Sequence, residues 1–296
     1  MPSPEYEQLL SALPDGFADP SDSVEQVREK FAQVGGAGAD ADVEVEPASL
    51  GGVEAYWVTT PESDRTRHLL HVHGGAFVSG SARDYLSLAA QVARTLRARV
   101  AVFGYRLAPE QRFPAALDDC VAACRGALEQ GVPPGRLGIS GDSCGGGLAV
   151  ATLLRLRDAG DPLPACGLGI CGWFDLEASG ESAQQPRGRD PFLNAEWIRR
   201  RGRDYLGPDG DPRHPHASPL YADLAGLPPL FLQCGGVDLT GDDSVRLAER
   251  ARAAGVEVTL DRWPEMIHAF QILPGAIPEA VEARRRLAEW TARHIP

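Results

Sequence analysis

Gly141-Asp142-Ser143-Cys144-Gly145 matches G-x-S-x-G, a pattern that sets a serine on a sharp turn between a strand and a helix. Small residues must flank such a serine because the turn is strained and closely packed. The context fits: the apolar run Leu137–Ser140 precedes the motif and the helix-prone GGGLAVATLLRL follows it. A bare match is weak in a chain with 33 glycines, and its bland alternative is a glycine-rich turn with an incidental serine. A serine hydroxyl is a poor nucleophile at neutral pH and needs a base. Asp238 follows the run Leu230–Cys234, and His268 follows the run Val256–Trp263. The order Ser, Asp, His, each just past an apolar run, suits a histidine that takes the serine proton and an acid that orients the histidine.

A second constellation supports acyl chemistry. His73-Gly74-Gly75-Ala76-Phe77 directly follows the run His68–Val72. Glycines there let backbone N–H groups turn toward a reacting carbonyl, so Gly75 and Ala76, with Cys144 after the serine, are the expected oxyanion-hole donors. His73 is expected to fix this loop by hydrogen bonding, not to catalyse. Among the rivals, His68 and His71 fall inside a strand and precede the serine, His214 and His216 fall in an irregular insert, and His294 is terminal. Asp242 and Asp243 compete as the acid, but they sit at a helix start and read better as capping and dipole partners. The Cys144 thiol could be a second nucleophile at a helix N-terminus. The preferred reading gives Cys144 a backbone role only.

The elements that must position these residues alternate. Short apolar runs predict strands at Val43–Glu46, Val53–Thr59, His68–Val72, Val100–Tyr105, Leu137–Ser140, Gly167–Cys171, Leu230–Cys234 and Val256–Trp263. Helices are predicted at Tyr85–Arg97, Ala115–Gln130, Cys144–Asp158, Ala195–Tyr205, Ser244–Ala254 and Pro278–Arg293. Such alternation favours a largely parallel sheet with helices on both faces. Residues 1–40 and 176–221 lie outside it, and they are expected to cap the sheet's carboxyl edge within a single domain spanning 1–296.

Composition narrows the partners. A net charge of -12 argues against nucleic acid and against docking on an anionic membrane. No run approaches the roughly 18 apolar residues of a membrane helix. The N-terminus lacks a basic start before an apolar stretch, so no signal peptide is read. Six dispersed cysteines with no C-x-x-C pair point to buried free thiols in a reducing cytoplasm, and no metal or cofactor site is expected.

HGGAF, YRLAPE (Tyr105–Glu110), FPAALDD (Phe113–Asp119), GDSCGGG, DPF (Asp190–Phe192), ASPLYADLAGLPPLFLQCGG (Ala217–Gly236) and the HAF that begins at His268 occur in one order from about residue 50 onward. Together they resemble the hormone-sensitive-lipase-like esterases of the α/β-hydrolase superfamily, the bacterial class with an HGGG motif. The resemblance implies an α/β-hydrolase fold, an eight-stranded mostly parallel sheet with helices on both faces and a two-part helical cap. It also implies carboxylic ester hydrolysis of small to medium esters through Ser143, His268 and Asp238 without a metal, and makes a homodimer plausible. Four departures stand out. Ala76 replaces the third HGGG glycine, and Cys144 replaces the usual alanine after the nucleophile. Asp238 is followed by Leu239-Thr240 where the family has Pro-Leu, and Cys171-Gly172 replaces Ser-Pro before Trp173-Phe174-Asp175-Leu176. A lactonase or amidase could use the same site. A non-catalytic receptor on this fold would lack the catalytic histidine, which is present here.

Overall fold

Alternating side chains sort the strands between two apolar layers. Leu69, Val100, Val102 and Phe231 face one core, while Leu70, Ala101, Phe103, Leu230 and Leu232 face the other. This period of two marks a sheet covered on both sides. The computed structural model describes residues 2–13, 17–34, 40–185, 189–273 and 277–296. Its eight strands are β1 (Glu44–Leu50), β2 (Val53–Thr59), β3 (Asp64–Val72), β4 (Ala98–Phe103), β5 (Leu137–Asp142), β6 (Cys166–Ile170), β7 (Leu230–Gly235) and β8 (Val258–Trp263). They pair in the order β1-β2-β4-β3-β5-β6-β7-β8. The β1–β2 and β2–β4 pairs are antiparallel and the others parallel. β1 is an edge strand, largely exposed and interrupted by Pro47, as edges commonly are.

Helices α3 (Leu86–Leu96) and α8 (Pro278–His294) pack on one face through Ala89, Val92, Ala93, Leu96, Leu287 and Trp290. On the other lie α4 (Ala115–Glu129), α5 (Cys144–Ala159) and α7 (Gly241–Ala253). The remaining helices are α1 (Pro4–Ala12), α2 (Val24–Val34) and α6 (Ala195–Leu206). Ser3 caps α1 by accepting the Tyr6 N–H at 3.2 Å, and Asn194 caps α6 by accepting that of Trp197 at 2.9 Å.

Several boundaries differ from the sequence expectation: β1 runs on to Leu50, β3 starts at Asp64, β4 spans Ala98–Phe103, and two further shifts have a visible local reason. α7 begins at Gly241 instead of Ser244, because the Asp238 side chain accepts the Thr240 N–H and turns the chain early. β8 begins at Val258 instead of Val256, whose N–H is still held by Ala251 O at the end of α7.

The two segments outside the alternation touch each other. Asn194 and Arg200 donate to the carbonyls of Ala18 and Pro20, and Arg201 Nη2 donates to Asp22 O at 3.3 Å. Tyr205 of α6 stacks on Phe77 with ring centroids 3.9 Å apart, which brings α6 against the loop after β3. Parts of the expected caps, residues 1, 14–16, 35–39 and 186–188, lie outside the described residues.

Candidate active site

Ser143 joins β5 to α5 in a backbone conformation that side chains avoid, with φ 54° and ψ -126°. Such a residue costs on the order of 1–3 kcal/mol, and the surrounding structure must hold it. Its glycine neighbours have a steric cause. A Cβ on Gly141 would come within 2.2 Å of Gly145 O, and one on Gly145 within 2.1 Å of Val72 O. Ser143 N–H is held by Ile170 O and its carbonyl receives the Trp173 N–H, both at 2.9 Å. The side chain is half-buried at the carboxyl end of β5.

Asp238 follows β7 and His268 follows β8, so all three expected residues gather at the carboxyl edge of the parallel strands. His268 Nδ1 lies 2.9 Å from Asp238 Oδ1. Both side chains are buried. Burial opposes the charged imidazole, but Asp238, Asp190 and Asp142 together outweigh it and raise the pKa above the ordinary histidine value. Asp142 directly precedes Ser143, so a charge of the elbow is among those acting on the ring. Among the described residues no hydrogen bond joins Ser143 Oγ to His268; such contacts commonly tighten only around substrate.

The loop after β3 carries three successive positive φ angles: Gly75 at 110°, Ala76 at 53° and Phe77 at 65°. A Cβ on Gly75 would meet Ser79 O at 2.2 Å. Among the described residues the N–H groups of Gly75 and Cys144 donate to no protein acceptor. That of Ala76 makes no hydrogen bond of normal geometry either, although it contributes to the field at the Cys144 sulfur. The Cys144 thiol lies beneath this loop, where its sulfur accepts the Phe77 N–H at 3.3 Å. Burial pushes that thiol up to about 12, so no reactive thiolate forms near neutral pH. His73 stacks on Tyr105 at 4.1 Å, and burial lowers it to about 4, which keeps the ring neutral.

Several contacts at the site escape the sequence reading. Asp142 Oδ1 accepts the Gly74 N–H and His71 Nε2–H, both at 3.2 Å, and Oδ2 accepts the Tyr85 hydroxyl at 3.3 Å. His71 Nδ1 meets Ser140 Oγ at 2.9 Å, as their register across β3 and β5 requires. This group has the composition of a Ser-His-Asp set. Ser140, however, is buried inside a strand and cannot meet a substrate, so the group braces the Gly74 loop instead. Asp190 Oδ2 accepts the Leu239 N–H at 3.0 Å, and burial followed by the charge of Asp238 pushes Asp190 up to about 6. Asp242 and Asp243 do stand in the first turn of α7, as expected of dipole partners, but their expected capping role is corrected. Asp243 Oδ2 accepts the Phe174 and Asp175 N–H groups at 3.0 Å, and Asp242 Oδ2 accepts that of Ser182 at 2.6 Å. They anchor the segment after β6 and are spent on it.

A strained serine, a buried His–Asp pair and unpaired amides on one sheet edge can perform acyl transfer. The comparisons agree. Residues 69–272 match a family described by the alpha/beta hydrolase fold. An acetyl-hydrolase of Streptomyces hygroscopicus is 43% identical over 235 residues, covering 79% of this chain and 78% of that protein. An esterase of Acinetobacter venetianus is 34% identical, covering 84% and 82%. The crystal structure of an esterase from the bacterial hormone-sensitive lipase family superposes with a TM-score of 0.92 at 38% identity, covering 100% of both chains. The chain belongs to the α/β-hydrolase fold family and, within it, to the hormone-sensitive-lipase-like esterases. It is a serine carboxylesterase.

Proposed function

We propose that this carboxylesterase hydrolyses short to medium acyl esters with Ser143 as nucleophile, His268 as general base and Asp238 as the residue that orients it. The observation that carries the reading is the 2.9 Å contact between His268 Nδ1 and Asp238 Oδ1 at the sheet edge that holds the strained Ser143. Ser143 Oγ attacks the ester carbonyl carbon while His268 Nε2 takes its proton. The tetrahedral oxyanion rests on the N–H groups of Gly75, Ala76 and Cys144. The C–O bond then breaks, and His268 returns the proton to the departing alcohol. Water, deprotonated by the same ring, cleaves the acyl-enzyme and regenerates Ser143. Asp238 keeps the Nδ1 proton in place and balances the imidazolium.

Relatives named acetyl-hydrolase support a short acyl group. Residues 1–40 and 176–221 serve as a two-part cap on a single domain, supported by the contacts between them and by the Phe77–Tyr205 stack. Among the described residues no helix is long and apolar enough to cross a membrane. Six buried unpaired thiols support a cytoplasmic setting. The family resemblance makes a homodimer plausible, which sedimentation would test.

The reading is tested by kinetics on an ester panel of graded acyl length. Ser143→Ala should lose about 10⁴–10⁶ of kcat, and Asp238→Asn about 10⁴. A Ser143→Ala enzyme with a tenth of normal turnover would refute the nucleophile. A mild Asp238→Asn beside a dead Asp242→Asn would move the acid to Asp242.

A further inference from the structure

Thr240 occupies the N-cap position of α7 yet gives the helix no side-chain cap. A threonine there ordinarily accepts an N–H of the first turn, a contact typically worth about 1 kcal/mol. Its hydroxyl instead lies 2.9 Å from Asp238 Oδ1, and its own N–H meets the same oxygen at 2.8 Å. Oγ1 is also 3.4 Å from His268 Nδ1 and 3.5 Å from Cys171 O. A hydroxyl has one proton to give, and the shorter contact to the carboxylate takes it. Three donors therefore converge on Oδ1, while buried Asp238 Oδ2 has no hydrogen-bond partner among the described residues. Any residue but proline could supply the backbone N–H at 240, so only the side chain is a choice. Thr240 is itself buried and unavailable to substrate.

We propose that Thr240 is a positioning residue of this esterase, whose hydroxyl fixes the Asp238 carboxylate and shares the oxygen that holds His268. The proposal rests on the reading of Asp238 and His268 as partners in catalysis. A carboxylate oxygen that also accepts an O–H attracts the imidazolium less strongly. Thr240 thus tempers the hold of Asp238 on the ring and keeps the carboxylate in one orientation. The charged groups acting on His268 are Asp238, Asp190 and Asp142, with the Cys171 thiol also beside the pair. None of these changes in a Thr240 variant.

The test is the pH profile of kcat/KM on p-nitrophenyl acetate for wild type, Thr240→Val and Thr240→Ser. Valine keeps the shape and removes the hydroxyl; serine keeps the hydroxyl. In Thr240→Val the acid limb should move to higher pH by about half a unit. Plateau kcat should fall about tenfold, with KM within about twofold. Thr240→Ser should restore both. Thr240→Ala gives the same readout if the valine variant does not fold. An unmoved limb in a folded hydroxyl-free variant, or a serine variant sharing the defect, overturns the proposal. Asp238→Asn measured alongside separates the two levels. If it stays active, the catalytic reading falls and this proposal with it; if it is dead while the limb of Thr240→Val stays put, only the role of Thr240 falls.

Discussion

Cys144 stands next to the proposed nucleophile in the chain, but its sulfur sits under the Gly74–Phe77 loop and accepts the Phe77 N–H there. The amide that follows Ser143 is therefore separate from the thiol, and Cys144→Ala should keep kcat within about tenfold, since one buried atom leaves only a small cavity. A loss matching that of Ser143→Ala, in protein shown by circular dichroism to be folded, would give the thiol a chemical role. His268 yields a second expectation. Its pKa lies above the ordinary histidine value, so activity should fall as pH drops through a point above that value. With Asp238→Asn the main raising contribution goes and burial prevails, so the limb in the residual activity should move to lower pH. An upward movement would mean that Asp238 does not act on this ring. The three residues proposed for catalysis could be picked out of the sequence because each follows an apolar run in the expected order. Asp142, Thr240 and Asp190 are not, because nothing in the spacing tells which backbone N–H or ring their oxygens will meet.

At the scale of elements, the strands are legible because buried β-prone runs alternate with longer amphipathic stretches. The N-terminal segment shows what such periodicity omits. Residues outside the sheet repeat read only as cover for the pocket, yet α1 reaches the histidine loop. Tyr6 Oη accepts the Ile267 N–H and donates to Glu265 O, both at 3.1 Å and across some 260 positions of sequence. Ser3 Oγ donates to Glu279 at 2.8 Å, tying the start of α1 to α8. Tyr6 also packs in a small core with Met266, Ile267, Phe270 and Ile277. The phenol is almost fully buried and its pKa is pushed up to about 12 by that burial, so it stays neutral and able to donate. Tyr6→Phe keeps the packing but leaves the Glu265 carbonyl and the Ile267 amide unpaired, a penalty of about 1–3 kcal/mol for a buried group. We expect kcat to fall severalfold on acetate and longer esters alike, because the loop carrying His268 loosens whatever the acyl group is. A defect confined to longer esters would return α1 to a covering role alone.

The whole molecule places its six cysteines in one condition. Cys120 and Cys124 lie in α4, Cys144 opens α5, Cys166 is in β6, Cys171 follows it and Cys234 is in β7. All are unpaired and buried. Burial pushes Cys124, Cys144, Cys166 and Cys234 up to about 12, and it raises Cys120 and Cys171 well above the ordinary thiol value. Thiol reagents attack the thiolate, so the native fold withholds both access and the reactive form. Modification must then wait for opening, and its rate reports which part of the structure opens. Two thiols lie at the proposed site: Cys144 beneath the Gly74–Phe77 loop, and Cys171, whose Sγ lies within 4.8 Å of a His268 ring nitrogen and an Asp238 carboxylate oxygen. Cys120, Cys124, Cys166 and Cys234 belong to elements packed in the two main cores. If the sheet and its carboxyl edge open as one cooperative unit, all six should react slowly at a common rate in dilute aromatic disulfide, and at once in denaturant. Mass spectrometry of partly labelled protein would then show unmodified and fully modified chains with little between. Early labelling of Cys144 or Cys171, with the other four protected, would show that the strained turn and its neighbours open without the rest. The catalytic edge would then be a separately unstable part of an otherwise cooperative fold.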